Sequence, residues 1–159
     1  MFRLVPPAIH RAMMPLAYRM RHNWRKWRKK PLQGCNIIIT DFGDDVLLLR
    51  HSYGPKGWAL PGGGVKRNED LTFAAQREVR EELAMEIASL KLIGTVEEEF
   101  SGSPHTSHVF TAVADEHPTP DGREVIEARF FPRHSLPEPL SKITRQRLEM
   151  WTRSIGQKS

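Results

Sequence analysis

Between Trp58 and Leu83 the chain passes from a short apolar stretch through Pro61 and three consecutive glycines, Gly62, Gly63 and Gly64, into a helix-forming segment introduced by Asp70. Few folds accommodate this run, because it demands a strand, a tight glycine loop and a helix in immediate succession. Asp70 is a favoured N-cap residue, so the helix is predicted from about Leu71 to Leu83. On a helix turning about 100° per residue, Glu78, Glu81 and Glu82 stand at i, i+3 and i+4 and share one face. Three like charges so arranged repel one another and weaken an isolated helix. A divalent cation would turn that repulsion into coordination. Magnesium, which takes oxygen ligands, keeps some of its waters and bridges to phosphates, suits such a set. Taken alone, three glutamates can equally be a solvated acidic face.

The spacing around them narrows the choice. Gly63, Glu69, Arg77, Glu78, Val79, Glu81 and Glu82 follow one another at the intervals of the Nudix box, and the stretch from Gly63 to Met85 resembles that box. Ala84 departs from it, standing where the family carries a glycine at the left-handed end of the helix. The run Trp58-Ala59-Leu60-Pro61-Gly62-Gly63 is similar to the family's lead-in, and Glu127-Ala128-Arg129-Phe130-Phe131-Pro132 to its late strand, so about 100 of the 159 residues share in the resemblance.

The resemblance implies an α/β (α+β) fold with a mixed β-sheet sandwiched between helices. It also implies Mg²⁺-dependent hydrolysis of the pyrophosphate linkage of a nucleoside diphosphate derivative, such as a nucleoside triphosphate or ADP-ribose. Glu78, Glu81 and Glu82 would hold Mg²⁺, or Mn²⁺ as a substitute, with help from the Gly63 carbonyl, and Arg77 and Glu69 would form an orienting ion pair. The family places its general base either in the box or on a later loop; Glu124 is favoured here over Glu127 by its offset from the late strand. The other reading is a sensor that binds a nucleotide without cleaving it, against which the intact glutamates speak.

Periodicity supplies the rest of the frame. Cys35 to Thr40 and Val46 to Ser52 read as buried strands joined by a turn at residues 41–45. Further strands are expected near Leu90 to Phe100, His108 to Ala114 and Val125 to Phe131, and Leu140, Ile143, Arg147, Trp151 and Ile155 mark a closing helix. Arg50 and Lys56 lie on the approach to the glycine loop and are candidates for phosphate contacts, while Trp58 and Phe100 are candidates to stack a base. Tyr53 and Phe110 are further candidates for the same role, and Glu97, Glu98 and Glu99 form a second acidic cluster.

Charge divides the chain unevenly. Residues 1–30 hold nine Lys or Arg and no acid, which leaves fifteen basic against nineteen acidic side chains in the remainder. A basic amphipathic helical arm is therefore expected at residues 1–33, ahead of a hydrolase domain at 34–159, with Ile9, Met13, Leu16, Met20, Trp24 and Trp27 on one apolar stripe. Such an arm suits packing on the domain or a second subunit, homodimers being common in the family. Peripheral membrane contact through residues 9–30 is a second use, and nucleic acid a less favoured one. A single cysteine, Cys35, excludes an internal disulfide and fits a cytoplasmic setting, with membrane association left to the arm.

Overall fold

The computed structural model describes residues 32–100, 102–114 and 116–156, together with Met13 and Pro15. Met13 and Pro15 are helical and exposed, Leu32 and Gln33, expected at the end of the arm, lie instead in the first strand, and the rest of the basic arm lies outside the described residues. Strands β1 (Leu32–Thr40) and β2 (Val46–His51) are joined by a turn in which the Asp41 carboxylate accepts the amides of Gly43 at 2.8 Å and Asp45 at 2.9 Å. Ile37 to Ile39 and Val46 to Leu49 are all fully buried, so both faces of the sheet are covered. Helix α1 (Leu71–Leu83) covers one face and α2 (Lys142–Gly156) the other. Alternation does the sorting: Ile37, Ile39, Leu47 and Leu49 join Ala75, Val79 and Leu83 in one core, while Ile38, Val46 and Leu48 join Trp58, Leu60 and Leu148 in the second. This is the expected mixed sheet between helices. No helix among the described residues is long and apolar enough to cross a membrane.

Strands β3 (Gly62–Gly64), β4 (Lys91–Phe100), β5 (Ser103–Val113) and β6 (Val125–Phe131) complete a six-stranded sheet ordered β4-β5-β1-β2-β6, with β3 paired to β1. β1 and β5 run parallel, and the other pairings are antiparallel. β1 and β2 pair at Thr40↔Val46, beside their turn, and beyond it residues 58–64 lie between them. Ala59 exchanges backbone bonds with Leu49, the Ile37 amide donates to the Pro61 carbonyl at 2.9 Å, and Gly62 to Gly64 pair with Asn36 to Gly34. The glycine run is thus clamped at the split in the sheet. Gly62 has φ 148°, and a Cβ there would lie 2.1 Å from the Cys35 carbonyl oxygen, so a side chain has no room.

The starts of β5 and of α2 also differ from those expected. β5 begins at Ser103 rather than His108, because Ser103 and Ser107 are buried inside the sheet although they read as turn residues. Pro104 precedes His105, the first β5 residue paired with β1, so its missing N–H breaks no β1 ladder bond. α2 begins at Lys142, after Ser141, whose hydroxyl accepts the Thr144 amide at 3.1 Å. Its buried face is Thr144, Arg147 and Leu148, while Ile143 and Ile155 of the expected stripe are exposed.

Ala84 ends α1 in the left-handed region at φ 53°, ψ 32°, its amide bonded to the Arg80 carbonyl at 3.1 Å. This conformation costs a side-chain-bearing residue about 1–2 kcal/mol, part of which glycine returns through its greater loss of backbone freedom. Ala84→Gly is accordingly expected to raise the unfolding free energy by about 0.5–1 kcal/mol, measured as a higher urea midpoint at unchanged m-value. An unchanged midpoint would mean that the alanine methyl makes packing contacts that offset the strain.

Candidate active site

Arg77 organises the loop that follows the glycines. Its Nε and a terminal nitrogen donate to the two oxygens of Glu69 at 2.7 and 2.9 Å, a bidentate pair. The other terminal nitrogen donates to Glu78 at 2.7 Å and approaches Glu81 at 3.5 Å, and the Gly64 carbonyl accepts from Arg77 at 3.0 Å. Glu69 also accepts the Lys66 amide at 2.8 Å. One guanidinium therefore ties loop and helix together. The hydrogen bond from Arg77, backed by the Lys66 amide, holds the Glu69 carboxyl down at about 2. That pairing, against the small opposing effect of desolvation, leaves Glu69 ionised as Arg77's partner. The Asp70 cap works beside it, accepting the Thr72 and Phe73 amides at 2.9 and 3.1 Å.

The three helical glutamates meet different surroundings. Glu82 is buried, 6% exposed, and accepts the Gly62 amide at 3.1 Å. The Glu78 side chain is 14% exposed and that of Glu81 59% exposed, so Glu81 extends toward solvent. Among the described residues no three Asp, Glu, His or Cys side chains enclose a point as they stand. The expected convergence is thus incomplete, because Glu78 turns to Arg77, Glu82 to the loop amide and Glu81 outward. Burial pushes the Glu78 carboxyl up despite Arg77, and the charges of Glu81 and Glu124 add to the push. Burial raises Glu82 well above the ordinary carboxylate range, beyond what the Gly62 amide offsets, and Glu78, Glu124 and Asp121 raise it further.

Such a donor set fits a hard divalent cation. Carboxylates withdrawn from water and crowded by like charge gain from an ion that takes oxygen ligands. Gly63 completes the cradle: a Cβ there would lie 2.5 Å from the Glu78 carboxyl carbon, so glycine alone lets that carboxylate rest against the loop. Beneath it, burial raises the Cys35 thiol to about 11, which keeps it protonated.

Glu124 reaches the same region from a different part of the chain. Its loop is tied to the end of α1 by the Thr119 amide donating to the Leu83 carbonyl at 2.8 Å and the Asp121 amide donating to that of Glu82 at 3.1 Å. The Asp121 carboxylate accepts the amides of Arg123, Glu124 and Val125 at 3.0, 3.0 and 2.8 Å, which fixes the backbone on which Glu124 stands. The Ser52 amide donates to the Glu124 carbonyl at 2.9 Å, and the Tyr53 hydroxyl to its carboxylate at 2.9 Å. Asp121 and Ser52 were not among the expected site residues. Sequence offers one sign of them, the Asp-Gly turn just ahead of the β6 run.

The remaining candidates divide. Lys56 is exposed, and Arg50 is half-exposed with Glu127 as a partner at 3.2 Å. Trp58 is no open platform: it is 7% exposed, stands edge-on to Phe131 at 4.7 Å and is flanked by Arg50 and Arg129 at 5.7 and 5.6 Å. Phe110 is likewise core. Phe100, at the end of β4, lies 5.6 Å from the His105 ring. Glu127 sits between Arg50 and Arg129 rather than among the helical glutamates. Glu98 turns to Arg147 at 2.7 Å on the α2 face, and Glu97 accepts from Thr106 at 2.9 Å.

A family model described as the NUDIX domain matches residues 30–151, and the chain belongs to the Nudix family. Among similar curated proteins, the mouse diphosphoinositol polyphosphate phosphohydrolase 3-alpha is 32% identical over 87 residues, 55% of this chain and 52% of the relative. The rat diphosphoinositol polyphosphate phosphohydrolase 2 is 32% identical over 87 residues, 48% of its own length. The chain thus spans about half the length of these curated relatives. Among solved structures, a MutT NUDIX hydrolase from Burkholderia pseudomallei superposes with a TM-score of 0.69 at 29% identity, covering 76% of this chain and 98% of that one. The NUDIX domain of Shewanella oneidensis NrtR, complexed with ADP ribose, gives 0.70 at 20% identity over 80% of this chain and 90% of its own, a likeness of fold alone.

Proposed function

We propose that the chain is a divalent-metal-dependent pyrophosphohydrolase that cleaves the diphosphate linkage of a nucleoside diphosphate derivative. The observation that carries this is the pair of carboxylates, the buried Glu82 and the largely buried Glu78, set against the Gly62–Gly64 run with Glu81 beside them on the helix. Glu78, Glu81, Glu82 and the Gly63 carbonyl would hold Mg²⁺. When bound, the ion supplies charge neutralisation of the diphosphate and a lowered pKa for a bound water. Arg77 and Glu69 keep Glu78 aimed, and Glu124 takes the proton of the attacking water. Arg50 and Lys56 bind outlying phosphate oxygens. The names of the relatives support a phosphoanhydride as the bond broken, and the ADP ribose held by the Shewanella domain supports a nucleotide-derived ligand.

The test is to incubate the native chain and Glu81→Gln with Mg²⁺ and a panel of ADP-ribose, dGTP, diadenosine tetraphosphate and a diphosphoinositol polyphosphate, following products by chromatography. Glu81 is exposed, so its replacement spares the fold. The native chain is expected to hydrolyse at least one compound and the variant to be slower by about 10²-fold or more. Equal rates would remove the helix from the mechanism. Tight nucleotide binding with no turnover by the native chain would replace hydrolysis with the sensor reading.

A further inference from the structure

The β2–β6 ladder slips register between Arg50 and His51, a bulge of the kind that re-aims the residues after it. Ser52 and Tyr53 follow directly, and both turn onto the Glu124 loop. The Ser52 hydroxyl donates to the Arg123 carbonyl at 2.6 Å and its amide to the Glu124 carbonyl at 2.9 Å, so the backbone of Glu124 is pinned from the β2 side. Asp121 pins it from the other side through the Arg123, Glu124 and Val125 amides. The Tyr53 ring lies 5.9 Å from that of His51, tilted by 49°, and its hydroxyl donates to one Glu124 oxygen at 2.9 Å. The chain therefore brings residues 71 positions apart to one hydrogen bond.

A pinned backbone does not pin a glutamate side chain, which has several rotatable bonds and two equivalent oxygens. A general base works within hydrogen-bond reach of its proton, about 2.6–3.2 Å, so a base free to swing spends most of its time out of position. We propose that Tyr53 is a positioning residue: its phenol holds one oxygen of Glu124 and leaves the other directed at the helical glutamates to receive a proton. This rests on the reading of Glu124 as the base.

The test is a kinetic double-mutant cycle in the full chain with Mg²⁺, using native protein, Tyr53→Phe, Glu124→Gln and the double variant. The substrate is whichever of ADP-ribose, dGTP, diadenosine tetraphosphate or a diphosphoinositol polyphosphate the native chain hydrolyses fastest. Tyr53→Phe is expected to lower kcat by about 10- to 100-fold with KM held within about twofold. Glu124→Gln is expected to lower kcat by about 10²-fold or more, and adding Tyr53→Phe to it to change nothing further. Mn²⁺ affinity by calorimetry and the urea midpoint are expected to be the same in Tyr53→Phe as in the native chain. Equal loss from Tyr53→Phe in both backgrounds, a loss confined to KM, or weakened Mn²⁺ binding would each overturn the positioning role while leaving the base assignment intact. An unaffected Glu124→Gln would instead remove the base assignment, and absence of hydrolysis by the native chain the whole catalytic reading; the role of Tyr53 falls with either.

Discussion

Replacing Glu82 by glutamine is expected to lower kcat by about 10²–10³-fold and, at neutral pH without divalent ion, to make the protein harder to unfold. The two effects have one cause. Burial lifts the Glu82 carboxyl well above its ordinary value of 4.5, so the folded chain binds this proton more tightly than the unfolded chain does. A group raised in this way contributes stability that is fully present below its unfolded value and is lost as pH rises through the folded one. Glutamine carries no proton to lose, and its side-chain oxygen can still accept the Gly62 amide, now 3.1 Å from a Glu82 oxygen. Native and variant urea midpoints should therefore converge in acid, below about pH 4, and separate progressively above it, the variant being the more stable. Mg²⁺ should raise the native midpoint and leave that of the variant nearly unmoved, because an ion that binds the folded state stabilises it in proportion to its affinity. A variant less stable than the native chain at pH 7 would mean that the buried charge is compensated within the fold, and the ligand role of Glu82 would lose its energetic basis.

What could be read from the sequence was what is local. Asp70 as a cap and α1 from Leu71 to Leu83 follow from a cap residue and helical spacing, and β6 from Val125 to Phe131 from an apolar run behind an Asp-Gly turn. The buried strands β1 and β2 follow from continuous apolar runs, which also imply cover on both faces. Ser103 and Ser107 defeat that logic, since a polar residue can lie inside a ladder once its neighbour supplies a partner; Ser107 donates to Asn36 at 2.9 Å. Trp58 reads as a binding platform in sequence, yet it is covered in the fold, because an aromatic near a glycine loop looks the same in sequence whether Phe131 and Leu140 cover it or not. Tyr53 with Glu124, and Glu98 with Arg147, meet across 71 and 49 positions. Their meeting depends on strand order and on one bulge, neither of which leaves a periodic trace.

Glu98→Gln is expected to destabilise the fold by about 3 kcal/mol, the lower end of the range for losing one partner of a buried ion pair. Arg147 is 2% exposed in the core between α2 and the sheet, and its terminal nitrogen donates to Glu98 at 2.7 Å. Asn36 accepts weakly from its Nε at 3.4 Å and more closely from Ser107, so Glu98 is the anion that neutralises it. Glutamine would leave a guanidinium without a counter-charge where water does not reach. Glu98 itself is 22% exposed, which moderates the loss. Replacing both partners by apolar residues, Glu98→Leu with Arg147→Met, should recover stability to within about 1 kcal/mol of native, since the cost lies in the unpaired charge. Urea unfolding of the three proteins measures this, and a Glu98→Gln loss below about 1 kcal/mol would show that Arg147 is compensated in another way. The pair also bears on catalysis indirectly: Asn36, which Arg147 touches, is the β1 residue in register with Gly62. Behind the glycine run, on the face away from Glu82, the pair joins β4 to α2 and braces the strand that the loop leans on. The folded fraction of Glu98→Gln should accordingly turn over substrate within a few-fold of the native rate, in contrast to Glu82→Gln, whose fold gains while its chemistry is lost.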